Sequence, residues 1–144
     1  MTVSMILKSK GSEVISVRPD DPLSSVVETL SARRIGAVLV LRGDGGVAGV
    51  LSERDVVRAL ARHSSAALGM PASAFMTAEV VSAGPRDSIG RVMEKMTHGR
   101  FRHLPILDEG RLVGIVSIGD VVKKRIDDAE HEAQALREYV TQAG

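Results

Sequence analysis

Residues 49–60, GVLSERDVVRAL, run from an apolar strand into a helix through Ser52, and residues 114–125, GIVSIGDVVKKR, do the same through Ser117. Both stretches carry Gly-x-x-Ser-x-x-Asp: Gly49, Ser52 and Asp55 in the first, Gly114, Ser117 and Asp120 in the second. A Ser three residues ahead of an acidic residue at a helix start reads as a cap, in which the hydroxyl accepts from a backbone N–H of the first turn. One such junction is a local signal. Two of them 65 residues apart point to a duplication.

The match extends outward in both directions. Upstream, an offset of 66 aligns Pro19 with Pro85, Asp21 with Asp87, Val26 with Val92, Glu28 with Glu94 and Arg34 with Arg100. Downstream the offset is 65, and Val56-Val57 meets Val121-Val122, so one residue is missing from the second loop. The period is too long, and the copies too few, for a solenoid.

Each copy reads β-α-β-β-α. A short strand (VISV, VVSA) enters a Pro-containing turn and then a segment with apolar residues at helical spacing: Leu23, Val26 and Leu30, or Ile89, Val92 and Met96. Two apolar strands joined by a Gly-bearing turn follow, close enough in sequence to form a hairpin, and the second helix opens at Ser-x-x-Asp. The fold class is α/β in the broad sense (α+β), two βαββα units. The organisation expected is a first repeat with its N-terminal segment over 1–63, a linker over 64–79, a second repeat over 80–126 and a helical tail over 127–144. VKKR at 122–125 reads as a cationic cluster closing the last helix against its dipole.

Composition narrows the function. The 144 residues carry 19 basic and 18 acidic side chains, a balance that selects no charged partner, and two Phe with one Tyr offer no stacking platform for nucleic-acid bases. There is no Cys, which removes thiolate catalysis and disulfides and suits a reducing compartment. The opening MTVSMILKSKG is too short in apolar length for a signal peptide, and the run IGAVLVL is far short of a membrane span, so a cytoplasmic protein is expected. The four histidines show no mutual ligand spacing and are expected at the surface. A Ser117-His103-Asp120 triad can be written down, but the motif offers no strained nucleophile turn.

The same junction that caps a helix can hold a nucleotide. Its free N–H groups and partial positive charge suit a phosphate, the Ser adds a donor, and an ionised Asp can accept both hydroxyls of a ribose. Gly49 and Gly114 would allow close backbone approach.

The two copies, with GVLSERDVVRAL and RFRHLPILDEGRLVGIVSIGDVVK, resemble a tandem pair of cystathionine-β-synthase (CBS) domains, the Bateman module, in its stand-alone bacterial form. The resemblance covers about residues 10 to 126. It implies pairing of the repeats about a pseudo-twofold axis, with clefts between them that bind AMP, ADP, ATP or an NAD-like adenosyl ligand. By that resemblance Asp55 and Asp120 would hold riboses and Ser52 and Ser117 would approach phosphates. Ile15 or Val81 would sandwich adenine with Ile35, Gly36 and Ala37 or with Phe101, Arg102 and His103, and Pro105 joins the candidate set. Arg102 and His103 stand where related modules carry basic residues that reach phosphates.

The copies are not equivalent, because Gly36 and Ala37 stand where the second has Arg102 and His103. Phosphate help from those two is therefore expected at the Asp55 site. A histidine in that role with a pKa of about 6.5 predicts tighter nucleotide binding as pH falls toward 6. The resemblance implies a non-enzymatic sensor without a catalytic cofactor, acting as a homodimer on a separate protein, with no nucleic-acid or membrane partner. The alternative is a ligand-free dimeric scaffold in which Ser-x-x-Asp only caps helices. A small hydrolase is the third possibility.

Overall fold

The computed structural model describes residues 1–143. In chain order it contains α1 (Val3–Lys10), β1 (Ser16–Val17), α2 (Leu23–Arg33), β2 (Ala37–Leu41), β3 (Val47–Ser52), α3 (Glu53–His63), two 3₁₀ turns (Ser64–Gly69 and Ala72–Ala74), α4 (Ile89–Gly99), β4 (His103–Asp108), β5 (Arg111–Ser117) and α5 (Ile118–Ala143). The βαββα order holds in the first copy. In the second, the expected leading strand VVSA is reduced to one parallel bridge, Ala83 to Ile106.

Local chemistry explains the elements. Apolar side chains at i, i+3 and i+7 give α2 one buried stripe, Leu23, Val26 and Leu30, and α4 repeats it with Ile89, Val92 and Met96. Both helices stop on an arginine in the left-handed region, Arg34 (φ 54°) and Arg100 (φ 57°), which turns the chain into the next strand. The strand pairs β2–β3 and β4–β5 form the two antiparallel hairpins, each with a register shift near its turn. β1 adds in parallel to β2.

There are two cores, one per copy. Val17, Leu23, Val26, Leu30, Val38, Val40 and Leu51 form the first; Ala83, Ile89, Val92, Met96, Leu104, Ile106, Val116 and Val121 the second. Leu39 alternates to the other face of β2 and is also fully buried, so this strand is covered on both sides and reads as an unbroken apolar run. Each fully buried Leu or Ile contributes roughly 1.5–3 kcal/mol relative to exposure.

The segments outside the βαββα units pack crosswise. α1 precedes the first copy, yet Val3 and Ile6 belong to the second core, with Leu7 packed against it. Ala67 and Ala72, from the segment before the second copy, are buried in the first core. The hydrogen bonds correspond: Ser4 N donates to Pro85 O at 2.8 Å and Val3 N to Asp87 O at 3.0 Å, while Ser73 N donates to Pro19 O at 2.9 Å and Ala72 N to Asp21 O at 2.8 Å. The segment 64–79 is thus a packed cover for the first copy, and residues 3–7 cover the second.

Gly49 and Gly114 serve these covers. A Cβ on Gly49 would stand 2.7 Å from Thr77 O and 2.8 Å from Met76 Sδ, and one on Gly114 would stand 2.6 Å from Leu7 Cδ2. Their close approach is to the chain itself, not to a ligand. VKKR is not a helix end either: α5 runs on to Ala143, and Lys124 pairs with Asp128 at 3.0 Å. Among the described residues no helix is long and apolar enough to cross a membrane.

Candidate ligand-binding site

The start of α3 and the entry to β4 face each other across a cleft of about 650 Å³. The first copy contributes Gly36, Ser52, Glu53, Arg54, Asp55 and Arg58, and the second contributes Val81, Arg100, Phe101, Arg102, His103 and Ser117. Two equivalent backbone bonds hold these walls: Glu53 N donates to Gly36 O at 3.0 Å, and Ile118 N to Arg102 O at 2.8 Å. Each ties the first residue of a helix to the chain just before a central strand, so the helix N-terminus and the strand entry move as one piece.

At α3 the capping box is complete. Ser52 N donates to Asp55 Oδ2 at 2.9 Å, and Asp55 N donates to Ser52 Oγ at 3.4 Å. Among the described residues Asp55 Oδ1 accepts no hydrogen bond and has Arg58 as its ion-pair partner, at 3.9 Å. Capping therefore occupies one carboxylate oxygen and leaves the other available. Arg54, Arg100 and Arg102 are exposed and form no ion pair among the described residues.

His103 is half-buried, unlike the exposed His63, His98 and His131. Burial pushes its pKa below 6.5, and the charges of Lys10 and Arg102 push the same way against Asp120 and Glu53. In the ligand-free protein its protonation therefore falls at lower pH than a free imidazole would show. The expected gain in phosphate binding on acidification therefore continues down to a lower pH.

The second junction is built alike and borders the same cleft through Ser117, but its carboxylate has a different partner. Ser117 N donates to Asp120 Oδ2 at 2.8 Å and Asp120 N to Ser117 Oγ at 3.1 Å, and the same Oδ2 receives Lys10 Nζ at 2.7 Å. Burial raises the Asp120 pKa, but the bonds from Lys10 and Ser117 outweigh it and the net shift is downward. Asp120 makes no hydrogen bond to His103 among the described residues, so the triad written from sequence is not assembled.

Of the candidates named from sequence, the cleft gathers Gly36, Ser52, Asp55, Val81, Phe101, Arg102, His103 and Ser117. It does not gather the others. Ile15 and Ile35 pack against the first core, Ala37 is buried in β2, and Asp120 faces Lys10. Pro105 is buried in β4, its carbonyl accepting from Ala83 N at 3.1 Å. Arg54, Arg58 and Thr77 line the cleft without having been singled out. The two arginines had a signal, since Arg54 lies inside the Ser-x-x-Asp stretch and Arg58 one turn beyond it.

The CBS domain profile matches residues 9–62 and again 72–127. The chain belongs to the CBS domain family. A CBS-domain protein of Agrobacterium tumefaciens has a similar solved structure, with 45% sequence identity, a TM-score of 0.84, and coverage of 86% of this chain and 92% of that one. The mitochondrial CBS domain-containing protein CBSX3 of Arabidopsis thaliana is 29% identical over 96% of this chain and 71% of its own length. A CBS domain protein of Pyrobaculum aerophilum, solved in complex with AMP, is 26% identical with a TM-score of 0.75, covering 83% of this chain and 89% of its own. This CBS pair therefore has its cleft between the two repeats, at the pseudosymmetric junction of α3 with β4.

Proposed function

We propose that this CBS pair is a non-catalytic regulatory module that binds an adenine nucleotide in the cleft at Asp55. The observation that carries the reading is the combination in one cavity of a capped carboxylate with a free oxygen, the apolar surfaces of Val81 and Phe101, and the unpaired Arg54, Arg100 and Arg102. Asp55 would accept the ribose hydroxyls, Val81 and Phe101 would flank the base, and the arginines with His103 and Ser52 would meet phosphates. The AMP complex of the Pyrobaculum relative supports that ligand class.

As a regulatory module it would transmit occupancy to another protein, in a cytoplasmic setting. Val57 on α3 and its counterpart Val122 on α5 are 65% and 50% exposed, which supports a twofold homodimer formed through these helices. Light scattering should give twice the chain mass at micromolar concentration; a monomer mass with and without nucleotide would remove the dimer.

Calorimetric titration with AMP, ATP, NAD and adenosine tests the ligand. Asp55→Ala should weaken every adenosyl ligand roughly tenfold to a hundredfold, the equivalent of about 1.5–3 kcal/mol. Arg102→Ala should weaken AMP and ATP much more than adenosine, and rising salt should weaken wild type more than the mutant. Wild-type affinity in both variants, or no binding at all, would leave Ser-x-x-Asp as a pair of helix caps and favour the scaffold.

A further inference from the structure

The two Ser-x-x-Asp junctions share their capping hydrogen bonds and differ in the cation beside the carboxylate, Arg58 at 3.9 Å from Asp55 and Lys10 at Asp120. Asp120 holds Lys10 Nζ at 2.7 Å, and the same ammonium donates to Ile115 O at 2.9 Å. The counterpart of Ile115 is Val50, whose backbone is paired instead with Thr77, N to O at 3.0 Å and O from N at 2.9 Å.

The divergence can be traced along the covers. Leu7 stands against Gly114 as Met76 stands against Gly49. Past Met76 the chain leaves helical geometry and pairs Thr77 with β3. Past Leu7, α1 continues for one more turn, and that turn carries Lys10 to Asp120. Val3 and Ile6, 0% and 4% exposed, anchor α1 in the second core, so little backbone freedom is left to lose when the ion pair forms.

We propose that Lys10 is a built-in occupant of the second carboxylate, so that α1 keeps Asp120 closed to ligand and each chain binds one adenine nucleotide, at Asp55. Asp120 Oδ1, like Asp55 Oδ1, accepts no hydrogen bond among the described residues, but a ribose hydroxyl arriving there meets an ammonium that already neutralises the carboxylate through Oδ2 and is held in place by the Ile115 carbonyl. Lys10 is thus an internal competitor, and the asymmetry of the pair lies in its N-terminal helix as much as in Arg102 and His103. The proposal rests on the reading of the Asp55 cleft as a ligand site.

Stoichiometry of AMP binding by calorimetry tests it on wild type, Lys10→Ala, Lys10→Arg and the double variant Lys10→Ala/Asp120→Asn, with Asp55→Ala and Asp120→Asn to mark each site. Wild type and Lys10→Arg should bind one AMP per chain, lost with Asp55→Ala. Lys10→Ala should bind a second, and the double variant should return to one. A wild type that binds two, with one lost on Asp120→Asn, would overturn the proposal, as would Lys10→Ala remaining at one. If wild type binds none, the Asp55 reading fails separately and Lys10→Ala decides alone: AMP binding that Asp120→Asn abolishes supports the closed site, and no binding overturns it.

Discussion

The imidazole of His103 lies over Gly36, so that a Cβ at position 36 would stand 3.5 Å from its Cε1 and 3.6 Å from its Nε2. One residue ends the turn after α2 and the other opens β4, so the contact joins the two copies across the cleft. It also helps to cover the ring, and burial is the first cause of its lowered pKa. The unfolded chain binds the proton more readily than the folded one. Stability linked to His103 is therefore present above an unfolded pKa of about 6.5 and lost as pH falls through the lower folded value. Thermal melts from about pH 7.5 to about pH 5 should decline more steeply for wild type than for His103→Gln.

Phosphate binding should run in the opposite sense. An anionic phosphate beside His103 raises its pKa, so binding takes up a proton and affinity rises as pH falls from the raised pKa of the complex toward the lowered pKa of the free protein. Calorimetry of AMP binding in buffers of different ionisation enthalpy should show net proton uptake in wild type and less in His103→Gln. Equal uptake in the two proteins would remove His103 from the phosphate site.

Gly49→Ala and Gly114→Ala should differ although the positions are equivalent. At Gly49 the new methyl meets the Thr77 carbonyl at 2.7 Å, a backbone atom held by the Thr77–Val50 pairing. At Gly114 it meets the tip of Leu7, which can change rotamer. Gly49→Ala should cost about 1–3 kcal/mol and Gly114→Ala less, measured by chemical denaturation.

Arg34 and Arg100 both end helices in the left-handed region, where a Cβ is unfavourable by roughly 1–2 kcal/mol. Glycine relieves that cost but gives back part of it in chain entropy. Arg34→Gly should therefore raise stability by up to about 1 kcal/mol and leave ligand binding unchanged, since Arg34 does not line the cleft. Arg100→Gly should stabilise similarly but weaken AMP, because Arg100 does line it. Denaturant melts paired with titrations separate the two effects.

The features legible in the sequence were those carried by neighbours in the chain. The Ser52–Asp55 and Ser117–Asp120 caps, the apolar stripes of α2 and α4, and the hairpins all depend on residues a few positions apart. Arg102 and His103 are assigned to the Asp55 site from the resemblance, together with the alignment of the copies, in which the second alone is basic there. Hidden from the sequence was what travels far. Lys10 meets Asp120 across 110 positions with no local signal. Gly114 read as room for a ligand because nothing near it in sequence names Leu7 as its neighbour. The segment VVSA has strand-like residues, but beyond the Ala83–Ile106 bridge it has no strand partner among the described residues and forms no strand.

The crosswise covers have a further consequence. MTVSMIL at 1–7 and MPASAFM at 70–76 occupy corresponding grooves, each on the copy it does not precede in the chain. This is an exchange of arms within one polypeptide, the internal counterpart of a domain-swapped dimer. A half-chain ending before Met70 would own an arm without its groove and a groove without its arm, and two such halves would complete one another. In the intact chain neither half can melt without stripping the other of its cover, so the two separate cores are bound into one cooperative unit.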